Sequence, residues 1–223
     1  MTEHLDLTPD AAEWDERYGD APIWSGEPNG ALVAEVAGFP AGRALDVGCG
    51  EGADAVWLAR QGWRVTALDV SRVALDRAAG HARDAGVPVT WVHAGLVEAD
   101  LPAGAFDLVS AQYAVLRRTP GQVAERTLAG LVAPGGTLLV VHHAVDHDYA
   151  HDHDHAHGGA DDHSGDHARD GGFDPALYAL PADVAAVLGT DWQIEVDERR
   201  PRSVTGGGGA HHVQDLVLRA RRR

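Results

Sequence analysis

The sequence predicts an α/β protein in which seven strands form a doubly wound, mostly parallel sheet with helices against its faces. Three observations carry this. Short apolar runs alternate with segments of helical periodicity along much of the 223 residues, as crossovers between parallel strands require. The first run, residues 44–47, passes directly into the glycine-rich stretch Gly48-Cys49-Gly50-Glu51-Gly52 and then into a helix. The second run ends in Asp69, 23 residues after Asp46, where doubly wound sheets commonly place an acid facing a ligand.

The elements follow in order. A helix over about 29–37 precedes the first strand, 44–47. The first crossover helix begins at about Ala53 and runs to 61, with Val56, Trp57 and Arg60 near one face. Strand two is 64–68. Ser71 then stands where its hydroxyl can cap a helix through about Ala85, whose residues Ala74, Ala78 and Ala82 form a close-packing stripe. Strand three is 89–93 and strand four 106–111. Thr119 and Pro120 read as N-cap and first-turn residues of a helix to about Val132, and Pro134-Gly135-Gly136 turns the chain into strand five, 137–141. A helix over 181–188 and strands over 192–196 and 213–220 complete the pattern. Four glycines, 206–209, separate the last two strands and suit a hairpin connection.

The glycine-rich turn reads as a cofactor site. Glycines 48, 50 and 52 let the backbone turn sharply and approach a ligand, and the helix behind them presents N–H groups. With Asp69 to accept from ribose hydroxyls, the ligand is adenosine-containing. Gly48, Gly50 and Ala53 also satisfy a looser dinucleotide pattern, so an NAD-dependent oxidoreductase stands as an alternative. Asp46 weighs against it: a carboxylate two residues before the first glycine repels a pyrophosphate but complements the sulfonium and ammonium groups of S-adenosylmethionine. Here the chain resembles the class I S-adenosylmethionine-dependent methyltransferases, with Asp46, Gly48, Gly50 and Gly52 matching their first motif and Asp69 their ribose-binding acid. That resemblance spans about residues 13–141 and 172–220. It implies a Rossmann-like fold with an antiparallel C-terminal edge strand, and it sets Cys49 and Val70 beside the cofactor.

The segments Trp14-Asp15-Glu16-Arg17-Tyr18 and Ile23-Trp24-Ser25-Gly26-Glu27-Pro28-Asn29 are similar to the lead-in of small methyltransferases of the tellurite-resistance and thiopurine types. The resemblance implies that Tyr18 and Trp24 cover the cofactor and keep water from its sulfonium. The same residues also fit an amphipathic helix that plugs one end of the core. One departure stands out: where many relatives carry an acid near the adenine amino group, this chain has Ala94-Gly95, leaving Glu98, Asp100 or the backbone alone for that contact.

On the acceptor side, His142 and His143 close the fifth strand at the carboxyl end of the sheet, and Gln112 and Tyr113 follow the fourth. A histidine there can take a proton from a thiol or hydroxyl, or can simply be a polar strand end. Gln112, Tyr113 and His143 are the candidate catalytic residues, and Gln112 is also placed against the cofactor. By resemblance the acceptor is a small molecule, a chalcogen oxyanion or a thiol. Because the methyl carbon is already activated, in-line positioning carries most of the acceleration and no base is obligatory.

Length and a 44% hydrophobic content fit a single domain, with N-terminal lid and helices over 1–40 and an insertion over 142–171. The net charge of −16 excludes nucleic acid as the main partner, because such affinity comes from neutralising phosphates. Ala111-Gln112-Tyr113 also differs from the Asn/Asp-Pro-Pro-aromatic signature of enzymes that methylate base amino groups. All 18 basic residues are arginine, so no lysine can form a Schiff base. No apolar run approaches the roughly 20 residues that span a bilayer, and the first residues lack a secretory signal; no membrane partner and a cytoplasmic location are expected. The single cysteine, Cys49, excludes an internal disulfide and reads as a packing residue.

Residues 142–170 hold nine of the 14 histidines, with many aspartates. His151, His153, His155 and His157 alternate with small or acidic residues, whereas His143, His147, His151 and His155 are four apart, so an extended segment or a helix would align one set or the other. Imidazole suits Ni, Zn, Co or Cu, which makes the tract a candidate transition-metal site. A noncatalytic metal-binding protein on a methyltransferase scaffold is therefore the alternative outside the enzymes. A solvated, low-complexity insertion is the other reading, since Val145 and Tyr149 are its only sizeable apolar residues.

Overall fold

The computed structural model describes residues 11–144, 177–202, 207 and 212–223. Two helices, α1 (Ala11–Tyr18) and α2 (Gly30–Val36), lead to β1 (Arg43–Val47). From there α3 (Ala53–Arg60), β2 (Arg64–Asp69), α4 (Arg72–Ala85) and β3 (Val89–His93) build the sheet outward in one direction. The chain then returns to the other side of β1 with β4 (Phe106–Gln112), α5 (Val123–Leu131) and β5 (Val132–His143). After α6 (Pro181–Val187), β6 (Trp192–Pro201) and β7 (Gln214–Arg222) complete a sheet of order β3-β2-β1-β4-β5-β7-β6. Strands β1 to β5 pair in parallel, and β7 runs antiparallel between β5 and β6. The expected seven-stranded, mostly parallel sheet with an antiparallel C-terminal edge pair is present, with β6 outermost.

Burial on both faces explains why the central strands read as continuous apolar runs. Leu45, Val47, Val109, Leu138 and Val140 face α5 and α6 through Leu128, Leu131 and Val184. Ala44, Val65, Leu108, Leu139 and Val141 face the opposite layer, with Leu32 and Val36 of α2 and Ala55 and Leu58 of α3. Helix α4 begins as anticipated: the Ser71 hydroxyl accepts from the Ala74 N–H at 3.1 Å, and Ala74, Ala78 and Ala82 are buried.

The structure shifts several elements. Helix α5 starts at Val123, not at Pro120, because residues 119–122 form a turn in which the Thr119 carbonyl accepts from Gln122 and the Thr119 hydroxyl accepts from Val123. Thr119 still satisfies the first N–H of the helix. The buried residues of α3 are Asp54, Ala55, Val56 and Leu58; the Trp57 and Arg60 face lies toward its margin. Strands β6 and β7 are longer than their apolar runs, since ladder pairing continues to Pro201 and Gln214 whatever the side chains. Among the described residues no helix is long and apolar enough to cross a membrane, and no group of three potential ligands could hold a metal ion. His147, His151, His153, His155 and His157 lie outside the described residues.

Candidate active site

Strand order reverses between β1 and β4, and in open α/β sheets the crevice at the carboxyl ends of such a strand pair is where ligands bind. Gly48, Gly50 and Gly52 sit there with φ of 66°, 52° and 83°, values that cost little only for glycine. The spaces beside them are close-fitted: a Cβ on Gly48 would meet the Ala114 methyl at 3.0 Å, and one on Gly50 would meet the Tyr18 hydroxyl at 2.8 Å. Gly52 caps α3 in the left-handed conformation.

Three acids converge under this turn. Asp69 holds it together, its Oδ2 accepting from the Gly50 N–H at 2.8 Å and its Oδ1 from the Ser71 N–H at 2.9 Å. The Val70 N–H also acts on this carboxylate, and burial raises its pKa against these three donors. Asp46 is 2% exposed, and its Oδ2 has no hydrogen-bond partner. Burial first, then the nearby Asp54 and Asp69 charges, push its carboxyl well above the usual range, against a pull from the Ala55 N–H. Asp54 is also raised by burial, although Asn29 donates to both its oxygens, from its backbone at 2.7 Å and its amide at 2.8 Å. Burial pushes up the Cys49 thiol as well, and Asp46 and Asp69 add to the effect; a neutral packing thiol is what this environment favours.

The raised acids give a pH dependence with a definite sign. A carboxyl whose folded pKa exceeds the unfolded 3.8 binds more protons in the native state, so its contribution to stability falls as pH rises from about 4 through the folded value. Asp46→Asn retains an acceptor for Ala55 without the buried charge. We expect the ligand-free variant to melt at a higher temperature than the parent at pH 7.5, with the gap closing near pH 4. It should at the same time bind a cationic cofactor more weakly. Melting curves at both pH values check this, and a lower melting temperature at pH 7.5 would refute it.

The N-terminal segment lies directly over the glycines. The Trp24 indole donates to the Tyr18 hydroxyl at 3.0 Å, and the Trp24 backbone N–H donates to Glu51 at 3.2 Å. Tyr18 is buried, and desolvation together with the Asp69 charge raises its phenol, so it stays protonated. Two residues that sequence reasoning missed fasten this cover. Arg77 of α4 donates to the carbonyls of Tyr18, Gly19 and Ala21 and pairs with the buried Glu51 at 2.8 Å. Asp15 of α1 accepts from the Ser71 hydroxyl at 2.6 Å and the Val73 N–H at 3.1 Å. An acid at this helix start complements its dipole, and those bonds hold its carboxyl below the ordinary range. At the end of β3, His93 Nε2 lies 2.9 Å from the Val70 carbonyl, while Glu98 and Asp100 are exposed.

On the other side of the crevice, Gln112 is buried, donates to the Ser110 hydroxyl at 3.0 Å and leaves its Oε1 without a partner. Tyr113 has φ of 55°, a conformation that costs a non-glycine residue about 1–3 kcal/mol and persists only where its surroundings impose it. Its N–H donates to the Val141 carbonyl at 2.8 Å, and its ring stacks on His143 with centroids 4.2 Å apart. The structure thus joins Tyr113 with His143; Gln112 is held separately through Ser110. The Tyr113 hydroxyl donates to buried Asp215 of β7 at 3.0 Å and accepts from Arg202 at 3.1 Å. Burial raises the Asp215 carboxyl, while Tyr113, Arg202 and Arg200 pull it back. Asp215 was legible in principle, because it is in phase with buried Val217 on a strand of period two.

With this geometry in place, residues 44–136 match the family described as Methyltransferase domain. Over that stretch the chain is similar to a methyltransferase domain. An uncharacterized methyltransferase of Mycobacterium tuberculosis is 44% identical over 97 residues, covering 44% of this chain and 48% of that protein. The ubiquinone biosynthesis O-methyltransferase of Escherichia coli O157:H7 is 39% identical over 108 residues, 48% of this chain and 45% of that one. The chain spans about half the length of these relatives. Among solved structures, a protein from work on the conversion of a disulfide bond into a thioacetal group during echinomycin biosynthesis superposes over 95% of this chain and 92% of its own, at TM-score 0.68 and 24% identity. TehB from Haemophilus influenzae covers 96% of this chain and 67% of its own, at TM-score 0.59 and 13% identity. The structural likenesses establish a common fold.

Proposed function

We propose that this methyltransferase-fold chain acts as one domain that transfers a methyl group from S-adenosylmethionine to a small-molecule acceptor. The observation that carries this reading is the buried Asp46 carboxylate with an oxygen that lacks a partner, set at the switch point of the sheet. A buried, uncompensated anion favours a cationic ligand and repels a pyrophosphate. When bound, S-adenosylmethionine supplies a methyl carbon activated by its sulfonium. Asp46 offsets positive charge, Asp69 accepts from ribose hydroxyls, and Val70 and Cys49 line the cofactor. Gly48 and Gly50 allow close approach, and Tyr18 and Trp24 shut out water. Gln112, Tyr113 and His143 face the acceptor. A chalcogen oxyanion or a thiol fits this scheme, and a small-molecule acceptor is supported by the 1,6-didemethyltoxoflavin-N1-methyltransferase of Burkholderia thailandensis. That neighbour was solved with bound 1,6-didemethyltoxoflavin and S-adenosylhomocysteine, at TM-score 0.55 and 20% identity over 86% of this chain and 74% of its own.

Calorimetric titration tests the reading: S-adenosylhomocysteine should bind more tightly than NAD. Amide exchange in residues 18–24 should slow on binding, because that segment closes over the turn. Arg77→Met removes the donors to Tyr18, Gly19, Ala21 and Glu51; it should speed that exchange and weaken S-adenosylhomocysteine by about tenfold, the scale of one charge-assisted hydrogen bond. Equal affinity for NAD would restore the oxidoreductase reading, and exchange indifferent to ligand would reduce residues 18–24 to a structural plug.

A further inference from the structure

Trp24 stands between two glycines from distant parts of the chain. On one side its indole Nε1 is 3.2 Å from where a Cβ on Gly50 would be, so the ring rests on the glycine turn. On the other side its backbone meets Gly207, one of the four consecutive glycines between β6 and β7. A Cβ on Gly207 would stand 2.5 Å from the Ser25 nitrogen, 3.0 Å from the Trp24 carbonyl carbon and 3.1 Å from the Ser25 Cα. All three are backbone atoms, which have no rotamer with which to move aside. Gly26 belongs to the same N-terminal cover and has a similar φ, 77° against 83° for Gly207, yet nothing lies within 4 Å of a Cβ added there. The close approach is therefore particular to Gly207. The base of the β6–β7 hairpin is fixed separately, on the acceptor side: the Arg202 N–H donates to the Val213 carbonyl at 2.8 Å, and its Nε donates to the Tyr113 hydroxyl at 3.1 Å.

We propose that Gly207 is a positioning residue of the cofactor cover: its missing side chain lets the β6–β7 hairpin close on Trp24 and Ser25 and keep the indole against the glycine turn. The effect on ligand binding rests on the methyl-transfer reading; the contact itself does not. The cover is then fastened from two flanks by different forces. Arg77 and Glu51 hold it from α4 and the turn through an ion pair and hydrogen bonds. Gly207 holds it from the opposite flank by van der Waals contact, of which a gap of about 0.5–1 Å already forfeits a quarter to a half. Such a contact favours the closed position and resists little once the cover has begun to move, which suits a segment that must open for each exchange of ligand. A side chain at 207 must push away either the hairpin or the cover, and either movement breaks the contact. Trp24 is then left with its bonds to Tyr18 and Glu51, on one flank alone.

The experiment measures amide exchange and S-adenosylhomocysteine binding on the full chain and on Gly207→Ala, with Gly38→Ala as control. Gly38 has φ of 81° and nothing within 4 Å of an added Cβ, so its variant carries the backbone penalty without the close approach. In the ligand-free protein, Gly207→Ala should speed exchange across residues 18–25 and leave the central strands β1 and β4 exchanging as in the parent. It should bind S-adenosylhomocysteine about tenfold more weakly, a loss within the range of overpacked contacts, with the change in the dissociation rate. Gly38→Ala should match the parent in both measurements. Exchange across 18–25 that is unchanged in Gly207→Ala, or that rises only together with β1 and β4, would overturn the proposal. So would faster exchange with unchanged affinity, which would make Gly207 a structural contact only. A parent that fails to bind S-adenosylhomocysteine would overturn the methyl-transfer reading, and the ligand-free exchange would still decide whether Gly207 holds the cover.

Discussion

Asp69→Ala lowers the affinity for S-adenosylhomocysteine by about 1–3 kcal/mol, the scale of charge-assisted hydrogen bonds lost from a buried site. The effect has two sources. In the proposed site the carboxylate would accept from the cofactor ribose, and it already fastens the turn through the Gly50 and Ser71 N–H groups. The second source makes Asp69→Asn a severe change despite its similar shape. An amide offers one acceptor oxygen, so its NH₂ must face one of those two N–H donors. Calorimetry should therefore find both variants strongly weakened. If Asp69→Asn bound S-adenosylhomocysteine like the parent, the assignment of this acid to both turn and cofactor would be wrong.

Gly52→Ala destabilises the fold by about 2–4 kcal/mol, combining the left-handed backbone penalty of a Cβ with overpacking of a filled space. Its φ is 83°, and an added Cβ would stand 2.6 Å from the Ala78 methyl and 3.0 Å from the Trp91 ring. Gly86 separates the two terms. It closes α4 at φ of 66° with nothing within 4 Å of an added Cβ, so Gly86→Ala should lose only the backbone part, about 1–2 kcal/mol. Urea unfolding of the two variants gives the packing term by difference. Equal losses would mean that the α3–α4 contact yields easily and that the close approach at Gly52 carries no stability.

A strand that ends in alternating glycines before a helix constrains the backbone locally, and the acids at 46 and 69 stand at strand ends whose positions follow from periodicity. Ser71 was legible for the same reason, since capping depends on residues three positions away. The boundary of α5 was not, because Thr119 satisfies Val123 through a turn that mimics a cap. A rule based on residue type does not distinguish the two geometries.

The functional side chains divide in the same way. Tyr18 and Trp24 were expected to cover the cofactor; the structure sets both against Gly50 of the turn. The residues that hold them, Arg77 and Glu51, carry no sequence signal, because a charged residue on a helix or in a loop usually faces solvent. Tyr113 and His143 were both chosen for lying at carboxyl ends of strands, yet neither choice implied that their rings would stack or that Tyr113 would take a left-handed backbone.

By itself the sequence determined the order of strands and helices and the glycine turn with its two acids. Each depends on spacing within a few residues or on a backbone conformation that glycine alone adopts cheaply. Tertiary structure decided which polar groups meet. Asp15 with Ser71, Arg77 with Tyr18 and Tyr113 with Asp215 are separated by 56, 59 and 102 residues. Coulombic and hydrogen-bond energies depend on distance in space, and those distances exist only once α1 has docked on α4 and β7 has been inserted beside β5.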